Sequence, residues 1–397
     1  MFYIEARIME DPLSSIEPKL FHSLMRIYGS STEYLFRKLF TPPNRLYIRV
    51  NTLLISRDEL IDLLKEKGLN PNPDPYIEDA IYFNVKGPYH IPILDKRIIV
   101  DRYTAESLML GANLYRPGVI KYDDFNKGEK VNVVAPNNMI VAVVKTVVSS
   151  DKLKYMKKGL IGYNILSKYR APALRSLEEY NKGYFYSQSL PAMMVSRVIK
   201  PKPYELIADL TAAPGGKTSH VVQLTKGLAR VVAFERNVKK TLKLINNLKI
   251  LKLYRNVIAL PMDSRYIDID LDLVGRVDKV IVDPPCSSLG VRPRILIDRK
   301  YEDIIVLRDY QIQFLRVASK IVRPGGLIVY STCTLTFEEN ELNVLEASKW
   351  GLKPIDLGEL PYSERVLFDE VIAYRYSPLY YDMPGYFIAL LKKTVSS

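Results

Sequence analysis

Cys286 and Cys333 are the only cysteines in this 397-residue chain. Each stands just past an apolar run with strand composition. Val280-Ile281-Val282 leads into Asp283-Pro284-Pro285-Cys286, and Leu327-Ile328-Val329-Tyr330 leads into Ser331-Thr332-Cys333-Thr334. A lone cysteine after a buried strand is more often an inert core residue. Two cysteines beyond two strands point elsewhere, because open α/β sheets bind ligands at the carboxyl edge of their strands. The proline pair stiffens its turn and keeps the chain out of a helix, so an aspartate and a thiol are held rigidly at that edge. A Cys–His hydrolase would require His220 to fold in, and a redox dithiol lacks its Cys-x-x-Cys spacing. Chemistry on a nucleobase fits better. C5 of cytosine is a poor nucleophile. A thiolate adding to C6 makes C5 enamine-like and able to take a methyl group from a sulfonium donor. An acid must stabilise the charge that builds at N3 and the amino group, a role Asp283 is placed to fill. A second group must help remove the C5 proton, and the base must leave its stack to reach the thiol.

A second constellation is Asp209-Leu210-Thr211-Ala212-Ala213-Pro214-Gly215-Gly216-Lys217-Thr218. It follows a strand-like run and opens a helix. Small residues admit a close ligand, and the helix start offers free N–H groups. A nucleotide-triphosphatase loop would need glycine where Thr211 stands, and no G-x-G-x-x-G is present. Glu235 follows at the end of the next strand, about twenty residues past the glycines, where an acidic side chain accepts hydrogen bonds from ribose hydroxyls. Asp263, read as ending the third strand in Leu260-Pro261-Met262-Asp263, is the next wall of the same pocket.

These residues need a scaffold, and the pattern supplies one. Over residues 169–397 strand-like runs (Leu206–Leu210, Arg230–Glu235, Val257–Leu260, Lys279–Asp283, Leu327–Ser331) alternate with helical stretches, one carrying Leu307, Gln311, Phe314, Leu315 and Ala318. That alternation predicts a largely parallel sheet covered on both faces, with Gly385–Leu391 as a late strand. Residues 95–168 differ: short β-rich runs at Arg97–Val100, Val131–Ala135 and Ile140–Val148, one helix at Thr104–Asn113, and Gly/Pro/Asn turns predict a small inserted β-barrel. Residues 1–94 predict an α+β segment, with a helix ended by Gly29, a second broken at Pro42-Pro43, a strand at Leu46–Asn51 and a Ser56/Glu59 capping box.

A formal charge of +13 points to a polyanionic partner, nucleic acid first. Lys152, Lys154, Lys157 and Lys158 near the end of the inserted module are candidates for phosphate contact. The three histidines (His22, His90, His220) have no metal-ligand spacing, so no metal is expected. No apolar run spans a membrane, and Glu5, Arg7, Glu10 and Asp11 argue against a signal peptide. The expectation is a soluble cytoplasmic protein, with a monomer favoured.

Together, Thr211–Lys217, Asp283-Pro-Pro-Cys286, Ser331-Thr-Cys333-Thr and Glu338-Glu-Asn-Glu341 resemble the Nop2/Sun (RsmB-like) family of RNA cytosine-5 methyltransferases, as do Arg49-Val-Asn-Thr52 and Gln188 with Leu190-Pro191-Ala192. Thr104–Asn113 followed by Arg116-Pro-Gly-Val119 is similar to the start of a PUA domain, and that domain order resembles the NSUN six subgroup. The resemblance implies an α/β, Rossmann-like class I methyltransferase domain with an N-terminal α+β segment and an inserted PUA β-barrel. It implies S-adenosyl-L-methionine as cofactor, held by Thr211, Ala212, Ala213, Pro214, Gly215, Gly216, Lys217, Glu235, Lys240, Asp263 and Asp283. It implies Cys333 as the nucleophile, Cys286 in product release, and Lys217 helping Asp283 to hold the base. The substrate implied is RNA, at cytosine 72 of the tRNA acceptor stem near the 3′ end. Thr211 stands where many relatives carry cysteine, Ser189 where many carry aspartate, and Lys240 where many carry arginine. A ribosomal RNA substrate and a non-catalytic RNA-binding role are the competing readings.

Overall fold

Five parallel strands carry the cysteine-bearing half of the chain. In space they run Val257–Leu260, Arg230–Phe234, Leu206–Asp209, Val277–Val282, Val322–Thr332. The strand that comes first in sequence is central, so the winding reverses beside it and a crevice opens at its carboxyl end. Four antiparallel strands extend the sheet: Tyr386–Lys393, Val371–Tyr376 and Glu364–Phe368 in order of pairing, with the short Leu352–Pro354 also paired to Tyr386–Lys393. The computed structural model describes residues 12–394. Glu5, Arg7, Glu10 and Asp11 lie outside them. No described helix is long and apolar enough to cross a membrane.

All five strands read from the sequence are present, with two adjustments. Val322–Thr332 starts earlier than expected and runs through Pro324-Gly325-Gly326, opposite a register shift between Val277 and Lys279. Only glycine fits at 326, where a Cβ would meet the Asp278 carbonyl at 2.7 Å. Asp263 does not end the third strand, as the sequence reading had it. That strand stops at Leu260, because Pro261 has no N–H to continue a ladder. The helix Tyr301–Ile321 buries Gln311, Phe314, Leu315 and Ala318 against the sheet.

A four-stranded antiparallel sheet packs beside this unit in the order Phe185–Ser187, Arg45–Val50, Ala80–Asn84, Asn72–Pro73. It draws one edge strand from beyond the inserted module. Helix Arg57–Glu66 starts at the expected capping box: Ser56 Oγ accepts from Glu59 N–H at 3.2 Å, and Ser56 N–H donates to Glu59 Oε2 at 2.9 Å. The inserted module is a six-stranded sheet. Its two terminal strands, Leu114–Tyr115 and Val119–Tyr122, are consecutive in sequence, so the sheet has to curl into a barrel. Its helix is shorter than expected, Arg102–Leu108, capped by Asp101 accepting from Thr104 N–H at 2.8 Å. Strands Val119–Tyr122 and Leu160–Ser167 were not foreseen.

One loop stitches the three units together. After Cys286 the chain makes no regular element until Tyr301. Within it Ile295 is fully buried in the barrel core, and Ile297 sits among Leu20, Leu24 and Leu35 of the N-terminal helices Pro18–Tyr28 and Thr32–Leu39. Arg292 donates to the carbonyls of Lys38 and Thr41 and pairs with Asp382 at 2.9 Å. Asn137 of the module donates to the Ile295 carbonyl at 2.9 Å. Truncating a buried isoleucine costs about 2–5 kcal/mol. Ile295→Ala should therefore lower the unfolding free energy by an amount in that range, read as a lower denaturant midpoint, and expose the links at both ends of the module to limited proteolysis. An unchanged midpoint and digestion pattern would show that the loop does not hold the module.

Candidate active site

The two thiols converge. Cys286 follows the strand Val277–Val282 and Cys333 follows Val322–Thr332, adjacent strands in parallel register, and their sulfurs lie 3.4 Å apart. Their backbones are locked from behind. Glu339 is fully buried and accepts from Ser287 N–H and Gln311 Nε2 through Oε1, both at 2.8 Å. Its Oε2 accepts from Ser287 Oγ at 2.5 Å and Thr336 Oγ1 at 2.8 Å. Its neighbours do similar work: Glu338 accepts from Ser23 and Tyr301, Asn340 accepts from Thr332 Oγ1, and Glu341 pairs with Arg375. Together these residues tie the segment after Cys333 to the helices Pro18–Tyr28 and Tyr301–Ile321, to the Cys286 loop, to Thr332 and to the strand Val371–Tyr376. Buried carboxylates are tolerated only when paired in this way.

The Asp283 carboxylate stands beside the thiols, with three donors on it. Lys217 Nζ donates to Oδ2 at 2.5 Å, while Ser331 Oγ and Tyr386 Oη donate to Oδ1 at 2.7 and 3.0 Å. The Asp283 N–H donates to Thr211 Oγ1 at 3.2 Å. Burial disfavours the Lys217 charge, but the Asp283 carboxylate outweighs it and keeps the ammonium protonated well above its ordinary range. Asp209, under the loop, is fully buried. Desolvation pushes it up to about 6 despite a 2.6 Å bond from Thr218.

The thiols differ from each other. The hydrogen bond from Cys286 pulls the Cys333 pKa below its usual value, against burial and with help from the Ser288 hydroxyl 3.5 Å away. The same contact, with desolvation, pushes Cys286 well up. Of the two, Cys333 is the one whose thiolate these contacts favour.

An open cleft of about 280 Å³ lies along the carboxyl edge, lined by both cysteines, Thr211, Ala213, Glu235, Lys240, Asp263 and Asp283. Glu235 Oε1 accepts from Asn237 N–H at 2.9 Å, and among the described residues its other oxygen has no partner. Lys240 makes no side-chain ion pair among them. Asp263 is already engaged by Arg265 at 2.9 and 2.6 Å. Ala212, Pro214, Gly216 and Lys217 face a second cavity on the far side of the loop, shared with Gln188 and Asp209. Gly215 lines neither. It has φ +107, and a Cβ there would meet Leu244 at 2.7 Å, so it brings the helix Val238–Ile250 close. Arg49 clamps this loop from the first sheet, donating to Gln188 Oε1 at 2.5 Å and the Gly216 carbonyl at 2.6 Å. His220 does not join the cysteines. It is buried on Asp79 at 2.9 Å, and desolvation lowers it to about 4.

Tyr386, Ser331 and Ser288 were not assigned roles from the sequence. Gly385–Leu391 was read as a strand, but that its start meets Asp283 depends on antiparallel pairing with Val322–Thr332, which residue type does not signal.

Comparison with known proteins follows the same outline. Residues 196–392 match the model for 16S rRNA methyltransferase RsmB/F, residues 96–161 the PUA domain, and residues 19–90 the RsmF/B-like ferredoxin-like domain. The chain is 36% identical over 363 residues to a tRNA (cytosine(72)-C(5))-methyltransferase of Pyrococcus horikoshii, covering 90% of this chain and 92% of that protein. It is 28% identical to human tRNA (cytosine(72)-C(5))-methyltransferase NSUN6, covering 79% and 74%. The crystal structure of NSun6 from Pyrococcus horikoshii with SFG superposes with a TM-score of 0.90 at 34% identity, covering 97% of this chain and all of that one.

The unequal thiols generate a test. A thiolate, not a thiol, is alkylated. Lowering the Cys333 pKa extends its reactivity to lower pH than a free cysteine, and raising that of Cys286 confines its reactivity to higher pH. Iodoacetamide near pH 7 should label Cys333 first, read by peptide mass. Cys286→Ala should move the midpoint of Cys333 labelling to higher pH. Equal labelling of both cysteines would contradict the asymmetry.

Proposed function

The chain belongs to the RsmB/F (Nop2/Sun) methyltransferase family, and from that premise we propose that it methylates C5 of a cytosine in tRNA, at position 72 of the acceptor stem, with S-adenosyl-L-methionine as donor. The observation that carries this reading is the pair of sulfurs 3.4 Å apart beside a carboxylate–ammonium pair. It is supported by relatives that match along nearly the whole chain, barrel included.

The cleft fits the donor. Glu235 has an oxygen free for a ribose hydroxyl, and Tyr310 and Phe314 supply apolar walls. When bound, the donor supplies an electrophilic methyl group on a sulfonium. Thr211–Lys217, Glu235, Lys240, Asp263 and Asp283 would hold it, with Asp263 acting through an already bonded carboxylate and Gly215 through the packing it permits.

In the reaction proposed, the Cys333 thiolate attacks C6 and forms the C6–S bond. The electron pair that would build up on the ring is directed to C5, which takes the methyl group. Asp283 accepts a hydrogen bond from the cytosine amino group, and the Lys217 ammonium beside it stabilises the negative charge that builds toward N3, with no proton transferred. The donors on Asp283 Oδ1 fix its orientation before the base arrives, so little reorganisation is left for the reaction. Cys286 assists removal of the C5 proton, and breaking the C6–S bond regenerates Cys333. One chain supplies every one of these groups, so a monomer is the proposed unit, with the cytoplasm as its proposed compartment. Residues 95–168 serve as the RNA-docking module, carried between residues 1–94 and the catalytic residues 169–397. Lys152, Lys157 and Lys158 are exposed on it and unpaired among the described residues.

The test is methyl transfer from labelled S-adenosyl-L-methionine to unmodified tRNA, with the labelled nucleotide mapped. Wild type should label C5 of an acceptor-stem cytosine. Cys333→Ala should abolish transfer, and Cys286→Ala should accumulate protein covalently bound to RNA. Transfer to ribosomal RNA alone would discard the substrate but keep the chemistry. RNA binding without transfer to any RNA would favour a non-catalytic role.

A further inference from the structure

Asp74 organises an aromatic group at the junction of the first sheet and the catalytic sheet. Its Oδ1 accepts from the N–H groups of Tyr76 and Ile77, both at 3.0 Å, and its Oδ2 accepts from the hydroxyls of Tyr47 and Tyr362, both at 3.1 Å. The Tyr362 ring stands edge-to-face with Tyr76 (centroids 5.3 Å apart, 82°) and with Tyr381 (6.1 Å, 79°). Tyr47 packs on Tyr82 at 5.6 Å, and the Arg45 guanidinium lies 4.4 Å over the Tyr82 ring. Arg45 is 3.5 Å from the Tyr47 hydroxyl and makes no ion pair among the described residues. Yet Tyr76 and Tyr381 leave 66% and 51% of their surface in water. Tyr362 within this group and Asp382 beside Tyr381 both take positive φ (+61 and +53), a conformation uncommon for residues other than glycine.

Topology places this group beside the catalytic cleft. Tyr386–Lys393 runs antiparallel to the strand that leads to Cys333, so the segment feeding it, which contains Tyr381, lies along the same edge as the thiol. Glu364–Phe368 is two antiparallel steps further on, so its start, just after Tyr362, lies on that edge as well.

We propose that this Asp74-anchored group is a binding site for unpaired RNA adjoining the target nucleotide, with Tyr76 and Tyr381 stacking bases and Arg45 neutralising a phosphate. The inference rests on the reading that the substrate is RNA. Three features favour such an occupant: exposed aromatic faces pre-set by a buried carboxylate, a cation without a counter-charge on a chain of net charge +13, and continuity with the catalytic edge. Base stacking on aromatic side chains is strong and tolerant of sequence, and an arginine beside the rings adds to it.

The experiment measures RNA affinity by fluorescence anisotropy without methyl donor. It compares a blunt hairpin with the same hairpin bearing a short unpaired tail. The Tyr76→Ala/Tyr381→Ala double variant should bind the tailed RNA about 10-fold more weakly than wild type and the blunt RNA within about two-fold. Tyr76→Phe/Tyr381→Phe should restore tailed binding, because the rings remain. The thermal midpoint should fall only slightly, since both side chains are largely exposed and lose little beyond the edge-to-face contact with Tyr362. Unchanged tailed affinity in the alanine variant, or equal loss in the phenylalanine variant, would overturn the proposal. Normal methyl transfer with unchanged affinity would sink this site alone. An absence of methyl transfer in wild type would count against the enzyme reading, and the affinity comparison would still decide this one.

Discussion

Four elements meet on the Asp283 side chain and its backbone N–H: the Thr211–Lys217 loop, the strand ending at Val282, Ser331 of the next strand, and Tyr386 of the antiparallel one. The constraint is electrostatic. A carboxylate with about a quarter of its side chain exposed, beside a Lys217 that is less exposed still, is stable only if its lone pairs are filled. Removing one partner of such a pair typically costs about 3–5 kcal/mol, because the other charge is left uncompensated. The loop cannot shift without uncovering Asp283, and Asp283 cannot rotate without losing Tyr386. The distances between loop, thiols and carboxylate follow from that mutual dependence.

The same economy holds at the scale of domains. The segment from Cys286 to Tyr301 is long for a connection without regular structure, and such segments are usually functional. Here it begins at a reactive thiol and then places Ile295 in the barrel and Ile297 among the N-terminal helices. Leu335, two residues past Cys333, is buried with those helices too. Both thiol-bearing turns therefore rest on the N-terminal unit, and one also holds the barrel. Arg49 makes a comparable link on the other side of the loop, from the first sheet to Gly216. An RNA bound across barrel and cleft would meet surfaces whose spacing the loop has already set, which reduces the ordering cost of association.

The parallel sheet was legible because buried strands alternating with helices leave a strong apolar pattern, and the capping box at Ser56 was legible because it is local. The thiols were legible because two turns broke the usual pattern at matching positions. What escaped depends on pairing. Strand Phe185–Ser187 joins the first sheet across more than a hundred residues, and nothing in three residues signals a partner so distant. Strand Leu160–Ser167 carries Gly162 and Asn164, both poor strand formers, and is held by pairing on both edges. Asp263 reads as ending the third strand through Leu260-Pro261-Met262, yet Pro261 stops the ladder at Leu260. Glu338–Glu341 read as part of a motif, but only the fold shows four polar side chains each tied to partners distant in sequence or on neighbouring elements.

Two identical side chains come to differ because they share one contact. A proton between sulfurs 3.4 Å apart stabilises whichever sulfur carries the negative charge, so the pair is symmetric until its surroundings break the tie. Ser288 lies 3.5 Å from Cys333 and 3.8 Å from Cys286, and at Cys333 the Asp283 carboxylate's opposition to an anion is partly offset by the Lys217 charge, which favours one. Buried Glu339 works the other way, opposing an anion at Cys286. The tie therefore breaks toward a Cys333 thiolate and a protonated Cys286. In the proposed reaction that division is the useful one. Once Cys333 is bonded to carbon it no longer needs the proton, and Cys286 loses the neighbouring anion that held its own pKa up. Covalent attachment at one sulfur would then lower the pKa of the other, so Cys286 can release its own proton to solvent and stand as a thiolate, a weaker base but a populated one, at the step where a proton has to be removed from C5.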